Sequence, residues 1–361
     1  MPPSLNLAAS SADITREICD IETVSDHEGP LADAIEAAMR GLAHLTVDRF
    51  GDTVVARTTL GRASRVVIAG HIDTVPLNGN LPVRALDVQG EAVLWGRGTV
   101  DMKAGVAVQL KLAVELTDPV MDVTWIWYDH EEVAESVNGL NLLSQAHPEL
   151  LRGDFAILGE PTAAGIEGGC NGNLRAEVRT TGRRSHSARS WVGENAIHAA
   201  APILARLAAY EPASVEVDSL VYREGLNAVG ISGGIAGNVI PDECTVHVNY
   251  RFAPSTSPEQ AVEHVRTVFE GFEVRILDLA GGARPGLDAP IVRAFAQAVG
   301  GSPRPKYGWT DVARFSRLGM PAVNYGPGDP MLAHADDEQV PVAQIEACEA
   351  GLRSLLTGAP R

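Results

Sequence analysis

The stretch Arg65-Val-Val-Ile-Ala-Gly-His-Ile-Asp73 joins an apolar run to a glycine, a histidine and an aspartate. A short apolar run that ends at a glycine is typical of a strand buried on both faces of a parallel sheet. Residues 123–128 and 155–158 have the same character, and residues 102–116 show a helical pattern between the first run and the second. This alternation predicts an α/β domain with a mixed, largely parallel sheet and helices on both faces.

The second half of the chain begins with a different pattern. Residues 174–180 alternate between apolar and polar, which is the period of a strand with one buried face. The predicted order that follows is β-α-β-β-α-β, with its first helix over 194–210, so residues 174–283 are expected to form an inserted two-layer α+β domain of ferredoxin-like topology. Because the α/β pattern then returns, residues 1–173 and 284–361 are predicted to form one discontinuous domain.

Composition limits the class of protein. The chain has 361 residues, of which 29 are Lys or Arg and 46 are Asp or Glu, so the formal net charge is −17. Hydrophobic residues make up 45% and charged residues 21%, which is ordinary for a folded protein and excludes a disordered or fibrous chain. The acidic excess argues against a nucleic-acid-binding protein, which would carry a basic surface.

Neither the N-terminus nor the cysteines indicate export. Residues 1–11 lack the order of a signal peptide, and no apolar run approaches the roughly 18 residues of a membrane span. The four cysteines have no CxxC spacing, so neither a disulfide framework nor a thiolate zinc site is indicated. We therefore expect a cytoplasmic protein with buried thiols and no membrane contact.

Residues able to bind a cation follow the predicted strands. In an open α/β sheet, ligands bind outside the carboxyl ends of the strands. Two histidines and three carboxylates lie at such ends or on the loops beside them: His71, Asp101, Glu132, Glu160 and His334. Imidazole and oxygen ligands without thiolates suit two divalent cations, zinc best and then cobalt or manganese. One carboxylate can bridge such a pair through its two oxygens.

Two further carboxylates complete the predicted chemistry. Asp73 points to the same side of an extended segment as His71 and can orient that imidazole. Glu131 precedes Glu132 at the end of a strand, so Glu132 can bind a cation while Glu131 serves as the general base. Each motif has an ordinary alternative: the histidine–aspartate pair could arise by chance, Asp101 could cap the following helix, and the two glutamates could form a solvated turn.

Taken together, these residues resemble the co-catalytic zinc metallopeptidase family. That family includes aminoacylases, acetylornithine deacetylases and succinyl-diaminopimelate desuccinylases. The resemblance covers nearly the whole chain and is carried by five motifs: His71-Ile-Asp-Thr-Val-Pro76, Gly96-Arg-Gly-Thr-Val-Asp-Met-Lys-Ala-Gly105, Glu131-Glu132, Gly159-Glu-Pro-Thr162, and Ala333-His334 with Glu338.

The resemblance assigns a role to each residue of the set. It implies two zinc ions per subunit, with cobalt or manganese as substitutes, and a hydroxide held by the zinc pair that attacks an amide. It also implies that the peptide bond after the bridging aspartate is cis. The implied roles are His71 and Glu160 for one zinc, Glu132 and His334 for the other, Asp101 as the bridge, Asp73 as the partner of His71, and Glu131 as general base and acid.

The inserted domain resembles the lid and dimerisation domain of the same family. Within it, Ser185-His186-Ser187 matches the histidine that reaches the site of a neighbouring subunit and stabilises the oxyanion. The resemblance therefore implies a homodimer that associates through residues 174–283. Taken without the resemblance, the sequence favours an ordinary loop histidine at position 186.

Finer matches are similar to the succinyl-diaminopimelate desuccinylases of the actinobacterial type. They include residues 167–174, 183–191, 222–227, 238–241 and 308–311. This likeness implies hydrolysis of N-succinyl-LL-2,6-diaminopimelate to succinate and LL-2,6-diaminopimelate, a step of lysine and cell-wall precursor synthesis. The substrate carries several carboxylates, which arginine recognises well. The expected substrate contacts are Arg251, Asn238 and Thr310, although Arg251 could also be a solvent-facing strand residue.

Two departures from the family pattern keep other functions open. Residues Asp129-His130 stand where a glycine–aspartate pair is usual, and Cys170-Asn171-Gly172-Asn173 stands where better-known enzymes of this activity carry an arginine pair. The first alternative is a related N-acyl amino acid deacylase, such as an acetylornithine deacetylase, or a small-peptide peptidase. The second is a metal-dependent binding protein, against which the presence of both Glu131 and Asp73 argues.

Overall fold

The computed structural model describes residues 3–358, which divide into two compact units. The first unit contains residues 3–168, 285–304 and 314–358. The second unit contains Gly169–Arg284 and Pro305–Ala313. Each unit has its own hydrophobic core.

The division differs from the predicted one chiefly in residues 305–313. The sequence pattern assigned this segment to the discontinuous domain, whereas it packs with the second unit. Three contacts within that unit explain the difference: the Asn171 N–H donates to the Lys306 carbonyl (3.3 Å), the Trp309 indole donates to the Gly281 carbonyl (3.1 Å), and the Cys170 thiol lies 3.7 Å from the Thr310 carbonyl. Periodicity reports local structure and carries no signal of such contacts.

Residues 3–358 contain ten α-helices, and the helix predicted over 102–116 is among them as α3. Their bounds are α1 Ser11–Cys19, α2 Gly29–Arg40, α3 Lys103–Glu115, α4 Gly139–Ala146, α5 Ala196–Ala199, α6 Ala201–Ala208, α7 Pro258–Val268, α8 Pro290–Val299, α9 Val312–Arg317 and α10 Val342–Thr357. Two short helices, α5 and α6, replace the single helix predicted over 194–210. Pro202, at the start of α6, has no backbone N–H to continue the earlier helix.

The strands form one large sheet and several smaller ones. Their bounds are β1 Thr46–Phe50, β2 Thr53–Arg57, β3 Arg65–His71, β4 Arg84–Val88, β5 Glu91–Trp95, β6 Asp122–Tyr128, β7 Phe155–Leu158, β8 Glu167–Gly168, β9 Gly172–Thr181, β10 Ser185–His186, β11 Ser214–Val217, β12 Leu220–Arg223, β13 Gly225–Gly233, β14 Val239–Ile240, β15 Glu243–Phe252, β16 Glu273–Ala280, β17 Arg304–Pro305, β18 Ala322–Asn324 and β19 Gln339–Pro341.

The large sheet is mixed and has a parallel centre, which confirms the predicted fold class. Its order is β1-β2-β6-β3-β7-β18-β8-β17. Strand β3 pairs in parallel with both β6 and β7, and β18 pairs in parallel with β7. Strands β1 and β2 are antiparallel additions at one side. Every residue of β6 and β7 is buried, and in β3 only Arg65 is partly exposed, as the apolar runs predicted.

Parallel pairing brings the carboxyl ends of β3, β6 and β7 to the same edge of the sheet. Helix α3 passes close to this edge, where Gly105 on α3 is in direct contact with Gly159, the residue after β7. An added Cβ at Gly105 would overlap the Gly159 carbonyl oxygen. The loops that follow these strands are therefore held close together.

The second unit is a four-stranded antiparallel sheet with helices on one face. The sheet order is β13-β15-β9-β16. Numbered along the chain, the four strands run 2-3-1-4 across the sheet, which is the ferredoxin-like arrangement. Alternate residues of β9 and β15 are buried, and they form a core with apolar residues of α5, α6 and α7. The period of two in the sequence therefore predicted this sheet correctly.

Candidate metal centre

The predicted ligands lie at the edge of the large sheet in the first unit. His71 is the last residue of β3, and the other ligands lie on loops. Glu132 follows β6, and Glu160 follows β7. Asp101 precedes α3, and His334 follows a short 3-10 turn after β18. Residues from widely separated parts of the chain thus meet at the carboxyl ends of parallel strands.

One group of possible ligands consists of His71, Asp101 and Glu160. One donor atom from each residue lies within 4.8 Å of the corresponding atoms of the other two. The His71 Nε2 atom is 3.0 Å from Asp101 Oδ1, and both His71 and Glu160 are buried. Donor atoms that each lie about 2 Å from one ion are roughly 3 Å apart, so this spacing fits a single cation.

A second group consists of Asp101, Glu132 and His334, again within 4.8 Å. The His334 Nε2 atom is 3.0 Å from Glu132 Oε2 and 3.3 Å from Asp101 Oδ2. The two oxygens of Asp101 therefore face different histidines, Oδ1 towards His71 and Oδ2 towards His334. The His334 side chain is 53% exposed, so this group opens to solvent more than the first.

Asp101 does not cap the helix that follows it, which was the ordinary alternative for this residue. Helix α3 begins at Lys103, its N-cap position is Met102, and no side chain caps it. The carboxylate of Asp101 is instead in contact with two imidazoles. The peptide bond between Asp101 and Met102 is cis, as the family resemblance implied.

Asp73 connects His71 to the loop that carries the two glutamates. Its Oδ1 atom lies 3.3 Å from His71 Nδ1 and accepts a hydrogen bond from the Glu131 N–H (3.0 Å). Its Oδ2 atom accepts from the Glu132 N–H (3.1 Å) and from the Ser25 hydroxyl (2.8 Å). Sequence reasoning gave Asp73 only the role towards His71. The contacts with residues 25 and 131–132 depend on tertiary structure and leave no local pattern.

The ionisation of the centre reflects its closely spaced opposite charges. Burial alone would raise the pKa of Asp101, but hydrogen bonds with His334 and His71 hold it well below its usual range. Hydrogen bonds to Asp101 and Glu132 raise the pKa of His334 to about 10. Burial opposes protonation of His71, yet its bonds to Asp101 and Asp73 raise its pKa well above the ordinary value. The carboxylates thus stabilise positive charge here, and a cation must displace protons from both imidazoles.

His130, the unusual residue before the glutamate pair, is engaged outside both ligand groups. Its Nδ1 lies 2.7 Å from Asp129 Oδ2, and its Nε2 lies 2.9 Å from Asp26 Oδ1. Burial would lower the pKa of His130, but these two carboxylates and Glu28 raise it to about 9. Both ring nitrogens therefore have partners of their own, and the imidazole helps to fix the loop before Glu131.

The remaining predicted site residues belong to the second unit. His186 pairs with Val239 between the short strands β10 and β14, and its Nδ1 accepts a hydrogen bond from the Ala188 N–H (3.0 Å). Asn238 is exposed, and its carbonyl accepts from the Ser187 N–H (2.9 Å). His186 and Asn238 are thus held on adjacent segments of the same unit.

Arg251 and Thr310 also belong to the second unit. The Arg251 Nε donates to the Asn249 side chain (3.1 Å), and burial lowers the pKa of this partly buried guanidinium. Asn249 in turn donates to the Asn173 side chain (2.7 Å), so Arg251 ends a row of amides on the polar face of the sheet. Thr310 is buried in the segment 305–313.

The donor set fits divalent metal ions. Both groups combine one imidazole with carboxylates, and neither contains a cysteine. Nitrogen and oxygen ligands of this kind suit zinc, cobalt or manganese. Residues 67–358 match the family described as Peptidase family M20/M25/M40. The chain belongs to this peptidase family. The predicted resemblance to the co-catalytic metallopeptidases is thereby confirmed.

Relatives within the M20/M25/M40 family match the whole chain. A succinyl-diaminopimelate desuccinylase from Corynebacterium glutamicum is 47% identical over 368 residues, covering 99% of both chains. A Mycobacterium tuberculosis protein, DapE, to which the same activity is provisionally assigned, is 51% identical over 357 residues, covering 98% of this chain and all of that one. The resemblance to desuccinylases of this type is confirmed by these two proteins.

The fold also agrees with that of solved structures. A tripeptidase from Staphylococcus aureus superposes with a TM-score of 0.78 at 18% identity, covering 99% of this chain and all of that one. This likeness supports the α/β domain with a smaller second domain.

As a member of the M20/M25/M40 peptidases, the protein is a metal-dependent amidohydrolase. Among residues 3–358, no helix combines the length and hydropathy that a membrane-spanning helix requires.

Proposed function

We propose that the protein hydrolyses the amide of N-succinyl-LL-2,6-diaminopimelate to succinate and LL-2,6-diaminopimelate, a step of lysine and cell-wall precursor synthesis. The observation that carries this proposal is the 47% identity, over 99% of both chains, to a desuccinylase with that activity in its name. The two ligand groups that share Asp101 support the same chemistry, since a shared carboxylate suits a pair of ions acting on one amide.

The proposed centre would hold two zinc ions, or cobalt or manganese in their place. His71 and Glu160 would bind one ion, Glu132 and His334 the other, and Asp101 both. Two ions of this kind polarise an amide carbonyl and make a bound water more acidic. Side chains of the protein would carry out the proton transfers and stabilise the oxyanion.

Glu131 is the proposed general base and acid. It stands next to the ligand Glu132 but belongs to neither ligand group, and its backbone N–H is held by Asp73. From this position its carboxylate would take a proton from the attacking water and pass it to the leaving amine. Asp73 supports the step, because its contacts with the His71 ring and with the N–H groups of Glu131 and Glu132 fix the positions of these residues relative to one another.

His186 is proposed to stabilise the oxyanion in the site of a neighbouring subunit. This role requires a homodimer formed through the second unit. Strand β13 supports such an association, because it is an edge of the four-stranded sheet and exposes apolar residues, with Val229 65% and Ile231 52% exposed. In sedimentation at micromolar concentration we expect a dimer, and a monomer would contradict the role of His186 in trans.

The variant His186→Ala tests the oxyanion role. It should lower kcat more than it raises KM, because the contact is made in the transition state. An unchanged kcat would remove His186 from the mechanism.

Arg251, with Asn238 and Thr310, is proposed to bind the carboxylates of the substrate, for which a guanidinium provides paired donors.

Substrate preference is the decisive test of the proposed function. The zinc-loaded protein would be assayed with N-succinyl-LL-2,6-diaminopimelate, N-acetyl-ornithine and a simple dipeptide under the same conditions. We expect kcat/KM to favour the succinyl substrate about a thousandfold, some 4 kcal/mol of discrimination. Turnover of another amide without activity on the succinyl compound would preserve the metal centre and contradict the proposed substrate.

A further inference from the structure

Glu338 is a buried carboxylate to which the proposed mechanism gives no role. It lies in the first unit, four positions after His334, and its side chain is only 1% exposed. Its Oε1 atom accepts hydrogen bonds from the backbone N–H groups of Val100 (2.8 Å) and Asp101 (3.1 Å). Glu338 therefore holds the main chain of the residue that both ligand groups share.

Arg97 binds the second oxygen of the Glu338 carboxylate. This arginine is also buried, and its Nη1 donates to Glu338 Oε2 (2.9 Å) and to the carbonyl of Ala335 (3.2 Å). Ala335 directly follows His334. A single guanidinium thus binds both the Glu338 carboxylate and the backbone beside the ligand histidine.

Strand pairing brings these two loops together. Strand β5 ends just before Gly96 and pairs antiparallel with β19, which begins just after Glu338. The Gly96 N–H donates to the Glu338 carbonyl at 3.0 Å, which extends the ladder by one more bond. The loop that carries Asp101 therefore begins beside the point where the loop that carries His334 ends.

Stability alone does not account for an ion pair at this place. Two charges removed from water lose hydration, and apolar side chains of similar size often stabilise a core as well or better. Apolar side chains could not, however, accept hydrogen bonds from the N–H groups of Val100 and Asp101. The carboxylate satisfies these amides while fixing where the Asp101 side chain begins.

We propose that Glu338 is a positioning residue of the metal centre, which together with Arg97 fixes the backbone of Asp101 relative to His334. This placement keeps Asp101 Oδ2 3.3 Å from His334 Nε2 while Oδ1 faces His71. Glu338 would not touch an ion or the substrate. The inference rests on the proposed two-ion centre and adds the residues that align its shared ligand.

The test is a cobalt titration of chelator-treated protein, followed by visible absorption, with folding checked by circular dichroism. Glu338→Gln keeps the size of the side chain but places an amide where the carboxylate met Arg97 and two N–H groups. We expect at least one of the two Co²⁺ ions to bind about 10- to 100-fold more weakly, as is typical when a group that orients a ligand is lost.

Asp122→Asn provides the matched control. Asp122 is likewise a buried carboxylate that accepts two backbone hydrogen bonds, from Leu60 (2.8 Å) and Arg62 (2.9 Å), and neither of these donors lies beside a ligand in the chain. This variant should keep the wild-type cobalt affinities. If Glu338→Gln does not fold, Glu338→Asp, which retains the charge on a shorter arm, is expected to weaken cobalt binding in the same way.

The outcomes separate this inference from the proposed function. Wild-type cobalt affinities in a folded Glu338 variant would overturn the positioning role and leave the two-ion centre intact. Equal weakening by Asp122→Asn would also overturn it, because the effect would then be general destabilisation. Wild-type protein that binds fewer than two ions would contradict the two-ion centre itself, and the inference with it.

Discussion

Asp73 shows how much of the site depends on single carboxylates. One side chain contacts the imidazole of His71, the hydroxyl of Ser25 and the backbone N–H groups of Glu131 and Glu132. These bonds compensate for burial, which would otherwise raise the pKa of Asp73, and keep that pKa below its ordinary value. The carboxylate therefore stays ionised while it joins three segments of the chain.

Glu131 gives the sharpest prediction at the scale of a residue. Glu131→Gln should lower kcat by about 100- to 10,000-fold, because an amide cannot take up the proton that general-base catalysis requires. Cobalt titration should still show the wild-type number of ions, since Glu131 belongs to neither ligand group.

Glu346→Gln is the control for that substitution. Glu346 is exposed on α10, so the same chemical change there should leave both kcat and metal binding unaltered. Near wild-type turnover in Glu131→Gln would mean that another group acts as the base.

Among the elements, the contact between α3 and the end of β7 decides the spacing of the ligands. Asp101 lies just before α3, and Glu160 lies just after Gly159 at the end of β7. The two elements approach so closely because Gly105 has no side chain. The sequence motif that ends in Gly105 thus has a packing reason as well as a chemical one.

Substitution of Gly105 tests this contact. Gly105→Ala should force α3 away from β7 and cost about 1–3 kcal/mol, the usual range for overpacking a core. Cobalt affinity should fall in the same variant, because Asp101 and Glu160 would move apart. Urea unfolding and cobalt titration measure the two effects.

Gly29→Ala is a fitting comparison on another helix. A Cβ at Gly29, in α2, would lie 3.7 Å from its nearest neighbour, an oxygen of Asp52, so it fits without displacement. This variant should be unchanged in cobalt affinity and neutral or slightly stabilised. A stable Gly105→Ala variant with wild-type affinity would show that the close approach is not needed.

At the scale of the whole molecule, metal binding should be coupled to folding. All members of the two ligand groups come from the first unit but from five separate parts of its chain. An unfolded chain cannot bring them together, so an ion that binds the folded state stabilises it by mass action.

Thermal unfolding measures this coupling. Adding zinc at about 100 times its dissociation constant to chelator-treated protein should stabilise it by about 2.7 kcal/mol per site and raise the unfolding midpoint. Magnesium at the same concentration should have much less effect, because it prefers oxygen ligands over imidazole. Equal midpoints with and without zinc would contradict a metal centre in the folded protein.

The sequence by itself determined the layers of the protein and the types of residue at the site. Buried parallel strands appear as apolar runs, and strands with one buried face alternate with period two, so β3 and β9 could be predicted locally. The rule that ligands lie at the carboxyl ends of parallel strands then indicated His71, Glu132 and Glu160 from their positions in the sequence.

Only the tertiary structure decided which of these elements and side chains are in contact. Taken alone, Asp101 read as a helix cap, whereas in the structure it contacts two histidines, one of which lies more than 200 residues away in the chain. The pairing of Glu338 with Arg97 and the packing of residues 305–313 in the second unit have the same origin. Local periodicity records which face of an element is buried, whereas these contacts depend on which elements meet, and that is settled by the packing of the whole chain.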